Sequence, residues 1–180
     1  MELQRAGHWR FDRLDELPDD GRRYEVVDGN LVVSPPPTYW HQIVSVALLR
    51  QLSAQAPQGW HVLLELGLPL GTDGRVPDLS VVSARAPVGP GAPLPAPEHV
   101  GLVVEVVSPS SRKTDRFAKP GEYAEAGIPL FWRVETVPDL LLVAYRSSGQ
   151  AYEQVAVVDG AGPAPAPWGL VQVDLTSIGA

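Results

Sequence analysis

Residues 101–123 read GLVVEVVSPSSRKTDRFAKPGEY. The first part, Leu102 to Val107, is an apolar, largely β-branched run with one carboxylate, Glu105, and it is bounded by Gly101 and Pro109. Such a run predicts a strand of a sheet covered on both faces. Inside it an unpaired ionised carboxylate costs several kcal/mol to desolvate, so Glu105 needs an arginine, a raised pKa or a metal ion. Downstream the chain turns basic, with Arg112, Lys113, Arg116 and Lys119 against one acid, Asp115. One reading of Glu105 is a salt bridge to Arg112 or Arg116; the other is a ligand to a cation.

A second acidic strand bears on that choice. Asp73-Gly74-Arg75-Val76-Pro77-Asp78 precedes the run Leu79-Ser80-Val81-Val82. Pro77 cannot donate to a sheet ladder, so it marks the start of a strand, and Asp78 sits at that start. Two strands with a carboxylate near one end can aim both acids at one place. Lys119 would complete a site for a hard divalent cation and a water. The chain has twelve arginines but only two lysines, Lys113 and Lys119, both in this stretch. A lysine ammonium is a compact point charge with three donors, suited to holding an attacking water or a phosphate oxygen.

The order Tyr24-Glu25-Val26-Val27-Asp28-Gly29, Ser34-Pro35, His41, Pro77-Asp78, Val104 to Ser110, Asp115, Lys119, Tyr123 and Gly127-Ile128-Pro129 with Trp132 resembles the Uma-type putative restriction endonuclease family. That family belongs to the PD-(D/E)XK nuclease superfamily, and the resemblance runs from about residue 11 to about residue 157. It implies a mixed central sheet flanked by helices, with Asp78 and Glu105 as metal ligands and the backbone carbonyl of Val106 as a third. The superfamily pattern has a lysine where this chain has Val107. In the Uma-type family that lysine lies on the following helix, which matches Lys119. Pro120-Gly121 follows at once, and a proline is tolerated in a first helical turn. A short helix from about Pro120 to Ala126, stopped by Gly127, is therefore predicted.

Composition sets further bounds. At 180 residues the chain is expected to form one domain, residues 1–180, with a sizeable core. The absence of cysteine excludes disulfides and thiolate metal sites. No run approaches a membrane span and the N-terminus carries Glu2, Arg5, Arg10 and Asp12 in place of an apolar signal core, so a cytoplasmic protein is expected. A formal net charge of −7 opposes generic nucleic-acid binding, because phosphate contacts rest on Lys and Arg. Residues 112–119 form the one basic cluster, and Arg112, Lys113 and Arg116 are the candidates for holding backbone phosphates. A bound cation would supply the positive charge that the chain lacks.

Taken in order, Phe11 to Leu17 predicts a short amphipathic helix ending at Pro18. Tyr24 to Val33 predicts a hairpin around Asp28-Gly29. Thr38 is an N-cap, and Trp40, Ile43, Val44, Ala47, Leu48 and Leu52 give residues 39–55 the spacing of one long amphipathic helix. Trp60 to Leu70 reads as a strand, paired through a turn at 71–74 with the Asp78 strand. Residues 84–99, rich in Pro and Gly, predict a surface loop that could also overhang the site as a clamp. Leu130–Glu135, Leu140–Arg146 and Ala151–Val157 read as strands, residues 159–169 as a second Pro/Gly loop and Leu170–Leu175 as an edge strand.

Three further residues are secondary candidates. Glu25 is either an accessory acid of the metal site or an outward residue paired with Arg22 or Arg23. His41, at a helix N-terminus, either orients a ligand or contacts a phosphate, or is a structural histidine bonded to a nearby carbonyl. Glu65 is either a third carboxylate or an exposed edge residue. The fold expected is α+β or mixed α/β, restriction endonuclease-like: a central mixed sheet with β-hairpins, one long helix packed on it and a short helix after the Glu105 strand. The function expected is a Mg²⁺- or Mn²⁺-dependent endonuclease acting on nucleic acid, DNA foremost, with Asp78, Glu105 and Lys119 catalytic, and working as a homodimer to cut both strands. The alternative is an inactive domain of the same fold that binds a partner or dimerises.

Overall fold

The computed structural model describes residues 2–4, 9–18, 20–108, 114–149 and 151–179; Arg112 and Lys113 lie outside them. The strands are β1 (Glu2–Gln4), β2 (Arg23–Val27), β3 (Asn30–Ser34), β4 (Trp60–Leu64), β5 (Leu68–Leu70), β6 (Asp73–Arg75), β7 (Leu79–Ser83), β8 (Val100–Val107), β9 (Leu130–Glu135), β10 (Leu141–Ser147), β11 (Tyr152–Asp159), β12 (Ala161–Ala166) and β13 (Gly169–Asp174). The α-helices are α1 (Tyr39–Gln55) and α2 (Lys119–Glu125), the latter preceded by a π-helical turn, Thr114–Ala118. No helix among the described residues is long and apolar enough to cross a membrane.

The central sheet has the order β11-β10-β9-β8-β7-β4. It is mixed, because β8 and β9 run parallel while their neighbours pair antiparallel. A parallel pair cannot be joined by a tight turn and needs a crossover. The crossover here carries α2, which sets the helix bearing Lys119 against the strand bearing Glu105. Strand β8 is buried at every position, Glu105 included, as its otherwise apolar run predicts. Alternation sends Leu102, Val104 and Val106 to one face, where they meet Val44, Leu48 and Leu52 of α1. Val103 lies on the other face with Tyr123, Ile128 and Phe131, and Glu105 shares that parity.

A second sheet, β1-β3-β2-β6-β5, holds the predicted hairpin. It turns at Asp28 (φ 50°) and Gly29 (φ 69°), the two positive values a two-residue type I′ turn requires. Helix α1 begins behind Thr38, whose Oγ1 accepts the His41 N–H at 3.3 Å, so the cap is made as expected. On its outer flank the Gln51 and Gln55 amides each donate to and accept from the β13 backbone, at Asp174 and Gln172, with every bond 2.8 Å long. These side chains occupy a strand edge that would otherwise present unpaired groups.

Three expectations are corrected. Phe11–Glu16 is a 3₁₀ helix with only Phe11 buried. The run from Trp60 to Leu70 is not one strand: it breaks at Glu65, whose φ is +48°, so β4 edges the central sheet while β5 and β6 form a hairpin in the other. Residues 159–169 are not a loop, since β12 pairs with β13 in spite of Pro163 and Pro165. Two prolines spaced by two turn their donor-free nitrogens to the same side, and the intervening residues still serve the ladder. The 84–99 segment is irregular apart from a short 3₁₀ turn, Pro97–His99.

At Gly101 the chain passes too close to its neighbours for a side chain. A Cβ there would stand 2.5 Å from Pro167 Cγ and 2.8 Å from the Trp60 ring. Gly101→Ala is expected to destabilise the protein by about 1–3 kcal/mol, seen as a lower urea midpoint at unchanged m-value. A wild-type midpoint would contradict this packing.

Candidate active site

Glu105 is 1% exposed and has two partners on α2. Lys119 Nζ donates to its Oε2 at 2.7 Å, and the Tyr123 hydroxyl donates to its Oε1 at 2.6 Å. Lys119 and Tyr123 are four residues apart, so one helix face carries both. Pro120 falls in the first turn of α2, where its missing N–H costs nothing. Burial, reinforced by the neighbouring Glu105 charge, pushes the Tyr123 hydroxyl well above its ordinary pKa and keeps it a donor. Glu122, on a different side of the helix, accepts two bonds of 2.6 Å from Arg75. Arg75 also reaches Glu25 at 3.3 Å, which ties α2 to the second sheet.

Asp78 lies one residue before β7. Leu79 stands opposite Val104 at the end of the β7–β8 register, and Glu105 is the next residue of β8 after Val104. Asp78 is 3% exposed. Its Oδ1 accepts from Arg23 at 3.0 Å; its Oδ2 accepts the Val106 N–H at 2.7 Å and lies 3.2 Å from His41 Nε2. Burial pushes its pKa up, but His41, Lys119 and Arg23 outweigh burial and hold the carboxyl below its ordinary value. Burial likewise opposes the charge on Arg23 and on His41. Asp78, Glu25 and Glu105 together restore it for Arg23, and Asp78 and the Val106 backbone restore it for His41. Lys119 thus acts on Asp78 as well as on Glu105, so the two acids share one electrostatic field.

The secondary candidates separate. Glu25 does not face outward: it is 3% exposed and accepts the Val76 N–H at 2.9 Å in addition to the Arg75 bond. The arginines considered for it go elsewhere, Arg23 to Asp78 and Arg22 to Asp20 at 3.3 Å. The Glu65 side chain is exposed, though its backbone N–H donates to the Asp78 carbonyl at 3.2 Å. His41 is buried on Asp78. Arg116 does not pair with Glu105; it holds Glu135 through two bonds of 2.9 and 2.8 Å. Arg133 Nε lies 2.9 Å from the same carboxylate without the alignment of a hydrogen bond, its guanidinium being drawn over the Tyr145 ring. Among the described residues no three His, Asp or Glu side chains gather into a group able to hold a metal ion as they stand.

Two members of the site carry no role in the sequence reading, Arg23 and Tyr123. Tyr123 was legible in principle, because a residue four after Lys119 on a short helix must share its face. Arg23 was not, since its partner lies 55 positions away. Arg23 also lines a cleft of about 650 Å³ walled by Tyr24, Pro35–Pro37 and Gln42, although Asp78 itself is not among the residues that line it. Another cavity, about 870 Å³, is lined by Trp60, Arg85, His99 and Pro129 and includes neither acid.

Comparison with known proteins bears on this arrangement. A solved structure described as a putative nuclease belonging to DUF820, from Anabaena variabilis ATCC 29413, is similar, with a TM-score of 0.64 and 20% sequence identity over 87% of this chain and 89% of that one. At that identity the likeness speaks for the fold, a central mixed sheet with few helices. No curated protein matches the chain. The Uma2 family model, described as a putative restriction endonuclease, matches residues 11–175. That span takes in the hairpin, α1, both acidic strands and α2, and the chain belongs to the Uma2 family of putative restriction endonucleases.

Proposed function

We propose that this protein is a divalent-metal-dependent endonuclease that hydrolyses phosphodiester bonds of nucleic acid, with DNA as its substrate. The observation that carries the reading is the pair of buried carboxylates, Asp78 just before β7 and Glu105 on the adjacent β8, with the Lys119 ammonium 2.7 Å from Glu105. The donor set fits a hard cation. Asp78, Glu105 and the Val106 carbonyl offer oxygen only, the ligand type that Mg²⁺ and Mn²⁺ take. Asp78 is also ionised at neutral pH, being held below its ordinary pKa. When bound, the ion supplies Lewis acidity toward a phosphoryl oxygen and lowers the pKa of a bound water.

The chain's own groups do the remainder. Lys119 holds the attacking water or the charge that develops on the phosphate. Tyr123 fixes the Glu105 carboxylate in place. Arg23, at the rim of the cleft, is positioned to receive a phosphate, and Arg112, Lys113 and Arg116 are assigned the flanking backbone phosphates. Duplex cleavage calls for two such sites, hence a homodimer, and the absence of cysteine suits the reducing cytoplasm. A second reading has one observation in its favour: each oxygen of both carboxylates already has a protein donor. On that reading the acids are internal ion-pair partners and the domain binds or dimerises without cleaving.

A cleavage assay separates the two. With Mg²⁺ or Mn²⁺ the purified chain should nick or linearise plasmid DNA, and Asp78→Asn, Glu105→Gln and Lys119→Met should each lower the rate about a thousandfold or more. Activity that survives Glu105→Gln would point to a contaminating nuclease and sink the assignment. A second expectation concerns acid stability. A carboxyl whose folded pKa is depressed contributes stability above its unfolded value, about 3.9, and that contribution is lost as pH falls through the folded value. The urea midpoint should therefore drop on acidification below about pH 4, with a shallower drop in Asp78→Asn. Equal slopes would show that Asp78 is not held ionised by the fold.

A further inference from the structure

Strand β9 carries an arginine that the acidic site does not use. Arg133 stands beside Glu105 in the parallel β8–β9 register. Two residues earlier the register pair Val103 and Phe131 packs into one core cluster with Tyr123, so alternation turns Glu105, Arg133 and Glu135 to that same face. Neighbouring strands lie about 4.8 Å apart, which roots Arg133 one strand spacing from the buried acid. Arg116 comes from the opposite direction, three residues before Lys119 on the π-helical turn that leads into α2.

The two arginines meet at Glu135. Arg116 forks onto it, Nε to Oε1 at 2.9 Å and Nη2 to Oε2 at 2.8 Å, and this fork alone gives each oxygen a donor. Arg133 is surplus to the carboxylate. Its Nε lies 2.9 Å from Oε1 yet is buried with no hydrogen-bond partner among the described residues. Its guanidinium is held 5.4 Å from the centre of the Tyr145 ring. Burial raises the Tyr145 pKa while Arg133 and Arg116 each act against it, so both charges gather at one ring. Solvent reaches them both, the side chains being 21% and 35% exposed. Two positive charges thus face one negative charge beside Glu105, in a chain whose net charge is −7. A salt bridge kept for stability needs one arginine. A second, laid over an aromatic ring with an N–H unbonded, is suited to receiving an oxyanion.

Resting on the nuclease reading above, we propose that Arg133 and Arg116 form a binding place beside Glu105 for a backbone phosphate of the substrate strand, next to the phosphate that is cleaved, and that Glu135 is an internal stand-in occupying it until nucleic acid arrives. Carboxylate and phosphate accept the same arginine fork, so a phosphate replaces the Glu135 oxygens with little movement of either guanidinium. Arg133 and Glu135 position the substrate and take no part in the chemistry.

The test is fluorescence anisotropy of the full chain with a labelled duplex oligonucleotide in EDTA, where metal-dependent cleavage is absent, over about 50–200 mM salt. Arg133→Gln should weaken binding about tenfold at the low-salt end and make the salt slope shallower by about 0.9, the value of one phosphate contact. Arg133→Lys keeps the charge without the fork and should keep the slope. Glu135→Gln should bind several-fold tighter than wild type, because it removes the competing anion and leaves both arginines. A trio that serves the fold alone gives a different result: Glu135→Gln then lowers the urea midpoint without tightening binding. Wild-type affinity and slope in Arg133→Gln, or no tightening in Glu135→Gln, overturns the inference and leaves the nuclease reading to the plasmid assay. Should Arg133→Gln not fold, Glu135→Gln decides alone. No duplex binding by wild type overturns the inference, and no plasmid cleavage with metal overturns the reading beneath it as well.

Discussion

A carboxylate sealed into the middle of β8 sets the terms for the elements around it. Glu105 cannot be ionised there without compensation, and the compensation is the 2.7 Å contact with Lys119 and the 2.6 Å bond from Tyr123. Both come from α2, so α2 must lie across that face of the sheet. The parallel pairing of β8 with β9 provides the crossover that puts it there. The helix is in turn anchored by Glu122, through Arg75, to Glu25 on the hairpin sheet. Breaking such a buried pair by removing one partner is expected to cost about 3–5 kcal/mol, although replacing the whole pair with apolar groups of equal volume is often neutral or stabilising. Stability alone therefore gives no reason to keep acid and amine at this place.

The charges in the site form two chains that meet at one end of β7 and β8. One runs from Glu105 through Lys119; the other runs from Asp78 through His41 and Arg23. They are coupled, since Lys119 contributes to holding Asp78 ionised and Glu105 contributes to holding Arg23 charged. A net charge of −7 over the whole chain thus coexists with a site whose acids are each met by a cation. The overall balance opposes generic nucleic-acid binding, whereas electrostatics at a buried site depend on the few groups within several ångströms.

Those features that depend on neighbouring residues were legible in the sequence. The Asp28-Gly29 turn, the capped helix from Tyr39 to Gln55, the largely apolar β8 and the short helix stopped at Gly127 all follow from local pattern, and each stands where the pattern places it. What could not be read depends on tertiary pairing. The apolar run from Trp60 to Leu70 gives no sign that Glu65 takes up a left-handed conformation and sends the chain to the other sheet. The alternate prolines of β12 look like a loop until β13 and the Trp132 Nε1 bond to the Pro165 carbonyl, 2.9 Å long, give the segment something to pair with. Of the arginines read as partners of Glu105, Arg116 is taken by Glu135 and Arg112 lies outside the described residues, while Lys119 and Tyr123 reach the carboxylate together from one helix face.

The same contacts that could make the site look closed also describe a site made ready. Two carboxylates of like charge in one site repel, and without a cation between them one would be expected to take up a proton. Here protein cations do the neutralising, so Asp78 stays ionised although it is almost fully buried. On the metal-dependent reading, Asp78 would have no proton to lose when the site is filled, and Lys119, released from Glu105, would keep its three donors for a water or a phosphate oxygen. An inert fold would be served as well by an apolar residue at position 105, in keeping with the rest of β8. On the proposed reading, the acid there, the amine opposite it and the second acid near the start of β7 are parts of one reactive centre.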